Sequence, residues 1–495
     1  MLQNVQDLMN RVRNSILFDE EWYRETYQIP EEIDAVEHYV LLGWKEGFDP
    51  SIHFSTQEYI DRYPEIAEKE VCPLLHYEEI GLYEKRKVNI YYMDELRRKH
   101  PECLTNLNGG IMRLRITNRC PGRCRYCGQL AWSETEQQRE MTPKWYFEYC
   151  KPLYENLNLL LITGGDAFSA TESYNYMKYI SENYPNITII TESNGMPFNE
   201  KFQQLASENL FTTHFSLNAS NAEVFERSCW SGSNAKAVYE HIISNVQNYI
   251  ELLKEKDLLC FAPNYSMVIN RDNADDVSAF ICLCLKLYAT KISFFFDYTE
   301  SNMGEEYFAC PDTSRRALQT LMEIERVLAG KVYLNFRLWV PTKELAPMQA
   351  KVQEIDIALL RDKYANILKL AEGRNIQKEH EERNRIRKTK KKNELGFDED
   401  LHASLRRENK CGHMKCASLW QMIDIYPTGR MDFCGWFINT LNIYDYIKDG
   451  VPDWNEILNS FEYMTYRKHI LSGNYKGCMT CCPMNDSAEC VNKSL

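Results

Sequence analysis

Thr117-Asn118-Arg119-Cys120-Pro121-Gly122-Arg123-Cys124-Arg125-Tyr126-Cys127 places three thiols in a C-x3-C-x2-C spacing directly after Ile111-Met112-Arg113-Leu114-Arg115-Ile116. The preceding stretch alternates like a strand with one face on a core, which puts the thiols on the loop leaving that strand. Three converging thiolates can hold three irons of a cubane [4Fe-4S] cluster, and the fourth iron then has no protein ligand. An open iron is a reaction site. Zinc is the alternative, but structural zinc sites favour paired C-x2-C knuckles and the x3 spacing fits them poorly.

Outward from the thiols, strands and amphipathic helices alternate, which argues for parallel βα units. A short apolar strand over 159–163 ends in Gly164-Gly165-Asp166, and a helix follows over 169–184. Strands at 187–191 and 211–217 precede a helix over 235–254, whose Val238, Ile242, Val246, Ile250 and Leu253 form one apolar stripe. Strands at 264–269 and 291–297, with a helix over 274–288 between them, complete six units. Residues 301–405 read as a helix at 315–328, a strand at 332–340 and long charged helices. The basic run Arg383, Arg385, Arg387, Lys388, Lys390, Lys391 and Lys392 reads first as a solvated helix face or a lid. An anionic substrate or an acidic partner surface is the sharper reading.

The triplet, with Tyr126 before its third cysteine, resembles the radical SAM superfamily. That resemblance implies a cluster whose open iron chelates S-adenosylmethionine, and an electron donor such as flavodoxin or ferredoxin. It also implies an α/β fold, a partial (β/α)6 TIM-like barrel with its chemistry at the C-terminal ends of the strands. Gly164-Gly165-Asp166 resembles the family's Gly-Gly-Glu, which lines the amino group of the cofactor; glycine lets the backbone approach a ligand, and Asp shortens the acidic reach. Thr191-Glu192-Ser193-Asn194-Gly195 resembles a Thr-Asn-Gly segment with two residues inserted. Ser216-Leu217-Asn218 resembles Ser-Leu-Asp, with Asn keeping an acceptor and losing the charge. The resemblance thus implies Tyr126, Gly164, Gly165, Asp166, Asn194, Ser216 and Asn218 as cofactor contacts.

A second cysteine group lies near the C-terminus: Cys416, Cys434 after Gly429-Arg430-Met431-Asp432-Phe433, then Cys478-Met479-Thr480-Cys481. Residues 423–429 read as a strand entering a turn and 430–433 as its hairpin partner. The arrangement resembles the SPASM and Twitch extensions of radical SAM enzymes, which hold auxiliary iron-sulfur clusters. Cys416, Cys434, Cys478 and Cys481 would ligate one such cluster, and Cys411, Cys482 and Cys490 leave room for a second. A zinc ribbon competes on spacing alone.

At the other end, Phe18-Asp19-Glu20-Glu21-Trp22-Tyr23 lies over Phe54-Ser55-Thr56-Gln57-Glu58-Tyr59, and residues 38–47 over 76–85. Each copy reads as two short helices closed by a glycine, with His38 and His76 in packing roles. The repeat resembles helical modules on bacterial glycosyltransferases and polysaccharide-synthesis proteins. Four domains are expected: a helical repeat domain at 1–105, the partial barrel at 106–300, a mainly helical linker or lid at 301–405, and the auxiliary-cluster extension at 406–495.

The formal net charge of −13 argues against a nucleic-acid binder, since phosphates need a basic face. Residues 1–14 lack a continuous apolar run, and no stretch is long and apolar enough to span a bilayer, so a cytoplasmic protein is expected. Of 18 cysteines, the ungrouped Cys72, Cys103, Cys150, Cys229, Cys260, Cys282, Cys284 and Cys310 read as buried thiols. Cys229, Cys260 or Cys310 would serve if a thiol returns a hydrogen atom to substrate, and Asp297, Glu300 and Glu305 are the acids nearest the sixth strand end. The resemblance of the repeat and the short auxiliary pattern imply oxidation or epimerisation of a sugar or glycan group, with peptide or protein modification as the alternative and a non-catalytic iron-sulfur scaffold as the third reading. A peptide-maturing relative would more often carry a β-rich leader-binding domain at its N-terminus.

Overall fold

The computed structural model describes residues 2–84, 86–127, 139–230, 232–297, 308, 310–337, 340, 342–390, 406–408, 414–416, 418–433 and 441–472. Seven strands run β1 (Gly110–Thr117), β2 (Leu157–Gly164), β3 (Thr188–Ser193), β4 (Thr212–Ser216), β5 (Asn264–Ile269), β6 (Lys291–Phe296) and β7 (Tyr333–Asn335). They pair in chain order and are all parallel. Right-handed crossovers that always step the same way put every connecting helix on one face of the sheet. That face carries the main core: Met112, Leu114 and Ile116 of β1, Leu160 and Ile162 of β2 and Phe215 of β4 are fully buried.

The opposite face follows from the strand alternation. Ile111, Leu159, Leu161 and Met422, with Ile190, form a small separate apolar cluster there. The same face presents Arg113, Arg115, Glu192, His214, Ser216, Ser266, Lys291 and Ser293. A mixed α/β architecture with a large parallel sheet therefore holds, and it extends past the six expected strands. β7 adds a seventh, shorter than the strand expected at 332–340, and Val340 lies beyond it.

After a two-stranded ribbon of β8 (Arg406–Glu408) and β9 (Met414–Cys416), the chain returns to the other sheet edge. There β10 (Met422–Ile425) pairs parallel with β1, and β11 (Arg430–Asp432) and β12 (Leu441–Asn442) follow antiparallel. The hairpin read from 423–433 is thus built into the sheet. One sheet of ten strands runs from β12 to β7, across the boundaries expected near 300 and 405. Among the described residues its two edge strands do not pair with each other, so the curved sheet stays open.

Part of the basic run packs against the protein, while Arg385 and Lys388 stay exposed. In the helix Ile376–Lys390, Arg383 is 3% exposed and donates to the Cys260 carbonyl and to Thr290 Oγ1, and Arg387 donates to Thr212 Oγ1. Those acceptors sit at the starts of β4, β5 and β6, so this helix covers the end of the sheet away from the cysteine loop. Arg385 pairs with Glu382 on the exposed side, while Lys391 and Lys392 lie outside the described residues.

The N-terminal hundred residues are helical, and the two copies reuse one set of contacts. Tyr23 OH lies 2.9 Å from His38 Nδ1 and Tyr59 OH 2.9 Å from His76 Nδ1. Phe18 and Tyr23 rings sit 5.6 Å apart, as do Phe54 and Tyr59. Tyr23 meets Tyr39 edge-on at 5.7 Å and Tyr59 meets Tyr77 at 5.9 Å. The second copy differs by an extra helical turn at Glu65–Glu68. Tyr77 stacks on Phe461, and Glu78 bonds both Ser15 Oγ and His469 Nε2, joining the repeats to the helix Phe461–Ser472.

Candidate functional site

The cysteine loop leaves the C-terminal end of β1, where the helical face and the polar face meet. Its root is pinned by β2. Gly165 N donates to Thr117 O at 2.6 Å, and a Cβ on Gly165 would come within 2.0 Å of Arg119 O. Gly164 takes φ +129°, a conformation glycine alone adopts readily, with its own Cβ position 2.2 Å from Thr117 O. Both glycines therefore serve close packing of β2 against the loop, a reason independent of any ligand.

Asp166 is held by groups of the protein itself. Its side chain is 1% exposed; Oδ1 accepts from Phe168 N at 3.0 Å, and Oδ2 from Ser193 Oγ and Asn194 N at 2.8 Å each. Burial raises its pKa, and those donors oppose the rise. Through these three bonds the carboxylate fixes the turn after β3. That turn aims Asn194: Oδ1 accepts from Met196 N, and Nδ2 donates to Cys120 Sγ at 3.3 Å.

Gly122 N also donates to Cys120 Sγ, at 3.3 Å. Burial and then the Asp166 charge push the Cys120 thiol up to about 12, so a metal must draw the proton off. Cys124 is raised well above its ordinary value by its contact with Cys229 and by burial. No three side chains converge on a single-ion position among the described residues; a cubane spreads its thiolates over separate irons and needs no such convergence. Sulfurs that receive N–H donors suit a thiolate-held cluster, whose properties those bonds set. Cys120, Cys124 and Cys127 thus fit the group.

The second half of the loop is fastened to the segment after β4. Arg125 N donates to Cys229 O at 2.9 Å. The Arg125 guanidinium donates to the carbonyls of Glu226, Arg227 and Trp230, capping the end of the helix Ala222–Ser228. Tyr126 OH donates to Cys229 Sγ, and Cys229 Sγ lies 3.4 Å from Cys124 Sγ. Cys229 is the one thiol among the three hydrogen-return candidates that the structure brings against the loop. Cys260 is at the opposite strand end and Cys310 precedes the helix Pro311–Leu328. Cys72, Cys103, Cys150, Cys229 and Cys284 are buried as expected, whereas Cys260, Cys282 and Cys310 are partly exposed.

Asn218 also bonds within the sheet. It sits at φ +63° and 3% exposure, with Oδ1 accepting from Val268 N and Nδ2 donating to Ser216 O. Through these bonds it ties β4 to β5. Ser216 remains exposed, 3.1 Å from Ser266 Oγ. Asp297 follows β6, while Glu300 and Glu305 lie outside the described residues, as do Cys411, Cys434, Cys478, Cys481, Cys482 and Cys490. Cys416 ends β9.

Reading by motif missed the inward charges beside the loop. Arg115 donates to Asp424 at 2.9 and 3.0 Å, with Arg113 3.4 Å from the same carboxylate. Arg115 and Arg430 each lie 4.6 Å from the Tyr426 ring. His214, partly buried and repelled by Lys291 while drawn by Glu192, has its pKa lowered to about 4 and is neutral at pH 7. The arginines at alternate positions of β1 were the available signal, because a strand facing only core would not carry them.

Residues 114–279 match the Radical SAM superfamily model. The FeMo cofactor biosynthesis protein NifB of Methanocaldococcus infernus is 23% identical over 128 residues, covering 24% of this chain and 42% of that protein, so the match spans less than half of that relative's length. Streptococcus suis SuiB bound to S-adenosylmethionine aligns with a TM-score of 0.46 and 14% identity, covering 87% of this chain and 85% of that one. The anSMEcpe structure with bound AdoMet gives 0.36 and 16%, covering 45% of this chain and 62% of that one. No described helix is long and apolar enough to cross a membrane. Residues 114–279 are therefore a Radical SAM superfamily domain.

Proposed function

We propose that the protein binds a [4Fe-4S] cluster through Cys120, Cys124 and Cys127, and S-adenosylmethionine at its open iron. The observation that carries this reading is the thiol loop at the C-terminal end of β1 in a parallel sheet, within the matched residues 114–279. A cluster held by Cys120, Cys124 and Cys127 would supply the single electron for reductive cleavage of S-adenosylmethionine, and with it the means of taking hydrogen from a substrate. The chain's own residues hold and aim. Gly164 and Gly165 seat the loop, Asp166 sets the turn that points Asn194 at Cys120, and Ser216 and Ser266 offer hydroxyls at the strand ends. Tyr126 anchors the loop to Cys229 through its hydroxyl.

Anaerobic reconstitution with iron and sulfide, then S-adenosylmethionine and dithionite, tests this. 5'-Deoxyadenosine is expected from the wild type and not from C120A, C124A or C127A. Its absence from fully loaded wild type would leave an iron-sulfur scaffold.

For the substrate, the reading is a sugar or glycan group that is oxidised or epimerised in polysaccharide biosynthesis, which rests on the resemblance of the N-terminal repeat to modules of polysaccharide-synthesis proteins and on the short C-terminal cysteine pattern. Cys416, Cys434, Cys478 and Cys481 would hold the auxiliary cluster of a SPASM or Twitch extension, and a flavodoxin or ferredoxin would supply electrons. Peptide or protein modification is the alternative. Turnover assays with nucleotide-linked sugars against short peptides separate the two.

A further inference from the structure

Cys229 belongs to no motif, yet it lies against the loop through several independent contacts. Its carbonyl accepts from Arg125 N, its neighbour Trp230 bridges Cys124 in β fashion, and its sulfur accepts from Tyr126 OH and lies 3.4 Å from Cys124 Sγ. The residue is fully buried, so water cannot replace any of these partners. In the contact between the two sulfurs, Cys229 Sγ is the donor and Cys124 Sγ the acceptor. A chain of donors then runs from Tyr126 O–H to Cys229 S–H to the Cys124 sulfur, each bond strengthening the next.

We propose that Cys229 is a positioning residue whose thiol donates to the Cys124 thiolate and eases reduction of the cluster. Hydrogen bonds to cluster sulfurs stabilise the more negative, reduced state and raise its potential. Cys120 receives its two donors from N–H groups; Cys229 does the corresponding work for Cys124. This inference rests on the proposal that Cys120, Cys124 and Cys127 hold the cluster.

The experiment uses the full chain, reconstituted anaerobically, as wild type, Cys229→Ala, Cys229→Ser and Tyr126→Phe. Iron and sulfide per chain are measured first, and then the reduced-cluster electron paramagnetic resonance signal that shifts on adding S-adenosylmethionine, across poised potentials. At the potential where the wild-type cluster is half reduced, the reduced-to-oxidised ratio in Cys229→Ala is expected to fall about three- to tenfold, the worth of one hydrogen bond. Tyr126→Phe should fall in the same direction by less, and Cys229→Ser, which restores a donor, should lie between wild type and Cys229→Ala. Equal ratios in wild type and Cys229→Ala at equal iron loading overturn the inference, as does a Cys229→Ser shift equal to that of alanine, which would mark a packing effect. Should Cys229→Ala fail to load, Tyr126→Phe decides, because it leaves both thiols in place; an unchanged ratio there overturns the inference. A wild type that loads no cluster overturns the parent reading and this inference together.

Discussion

Asp166 accepts hydrogen bonds from residues 27 and 28 positions further along the chain, so what it does depends on how β2 and β3 pair. The Gly-Gly-Asp motif was legible in the sequence as a strand end beside the cysteine loop, but the acid's partners were not, because that register is set by packing rather than by local residues. Asp166→Ala orphans two buried N–H groups and a hydroxyl, each costing about 1–3 kcal/mol. We expect a loss of about 3 kcal/mol or more in urea unfolding, with weaker iron loading because Asn194 loses its anchor. An alanine variant of wild-type stability, impaired only in S-adenosylmethionine binding, would show that the carboxylate serves the cofactor directly.

Among the elements, the N-terminal copies were readable because aromatic residues and glycines recur at matching offsets, which needs no knowledge of tertiary contacts. The reason for the glycines was not readable. A Cβ on Gly43 would lie 2.1 Å from Tyr23 OH, and one on Gly81 would lie 2.5 Å from Tyr59 OH. Gly43→Ala and Gly81→Ala should each cost about 1–3 kcal/mol through overpacking. Adding Tyr23→Phe or Tyr59→Phe removes the clashing oxygen, so each double variant should recover part of the loss. Additive effects in thermal unfolding would refute the shared contact.

The β11 strand carries its own pH signature. Burial raises Asp432 from 3.8 to about 6 against the pull of Arg430, and its side chain is 1% exposed. The folded state therefore holds this proton more tightly than the unfolded chain does. Its contribution to stability declines as pH rises from about 4 to 6, reaching a penalty of about 3 kcal/mol above that range. Asp432→Asn should accordingly stabilise the protein relative to wild type at pH 7 and lose that advantage near pH 4, read from urea midpoints at the two pH values. An advantage that does not change between them would mean Asp432 keeps its ordinary carboxylate pKa.

At the scale of the whole molecule, the parallel βα order was visible in the sequence as alternating apolar runs and amphipathic helices. That β10 would return some 300 residues later to pair with β1 was not, since each side of such a pairing looks like any short strand. The junction is marked by charge: Asp424 is fully buried, faces Arg113 across the β1–β10 register, and accepts from Arg115 of the same strand. Removing one member of a buried pair strands the other, at about 3–5 kcal/mol, whereas replacing both by apolar residues is often neutral. Because Arg113 and Arg115 keep partial exposure, Asp424→Ala should fall near the lower figure, about 3 kcal/mol. The double variant Arg115→Met with Asp424→Leu should be more stable than Asp424→Ala, since the freed charge is gone and the Met and Leu side chains fill the seam. If the double variant is instead less stable than Asp424→Ala by the full cost of losing Arg115, the arginine contributes through its stacking on Tyr426 and not through the carboxylate, and the pair is not what binds the C-terminal hairpin to the strand that carries the cysteine loop.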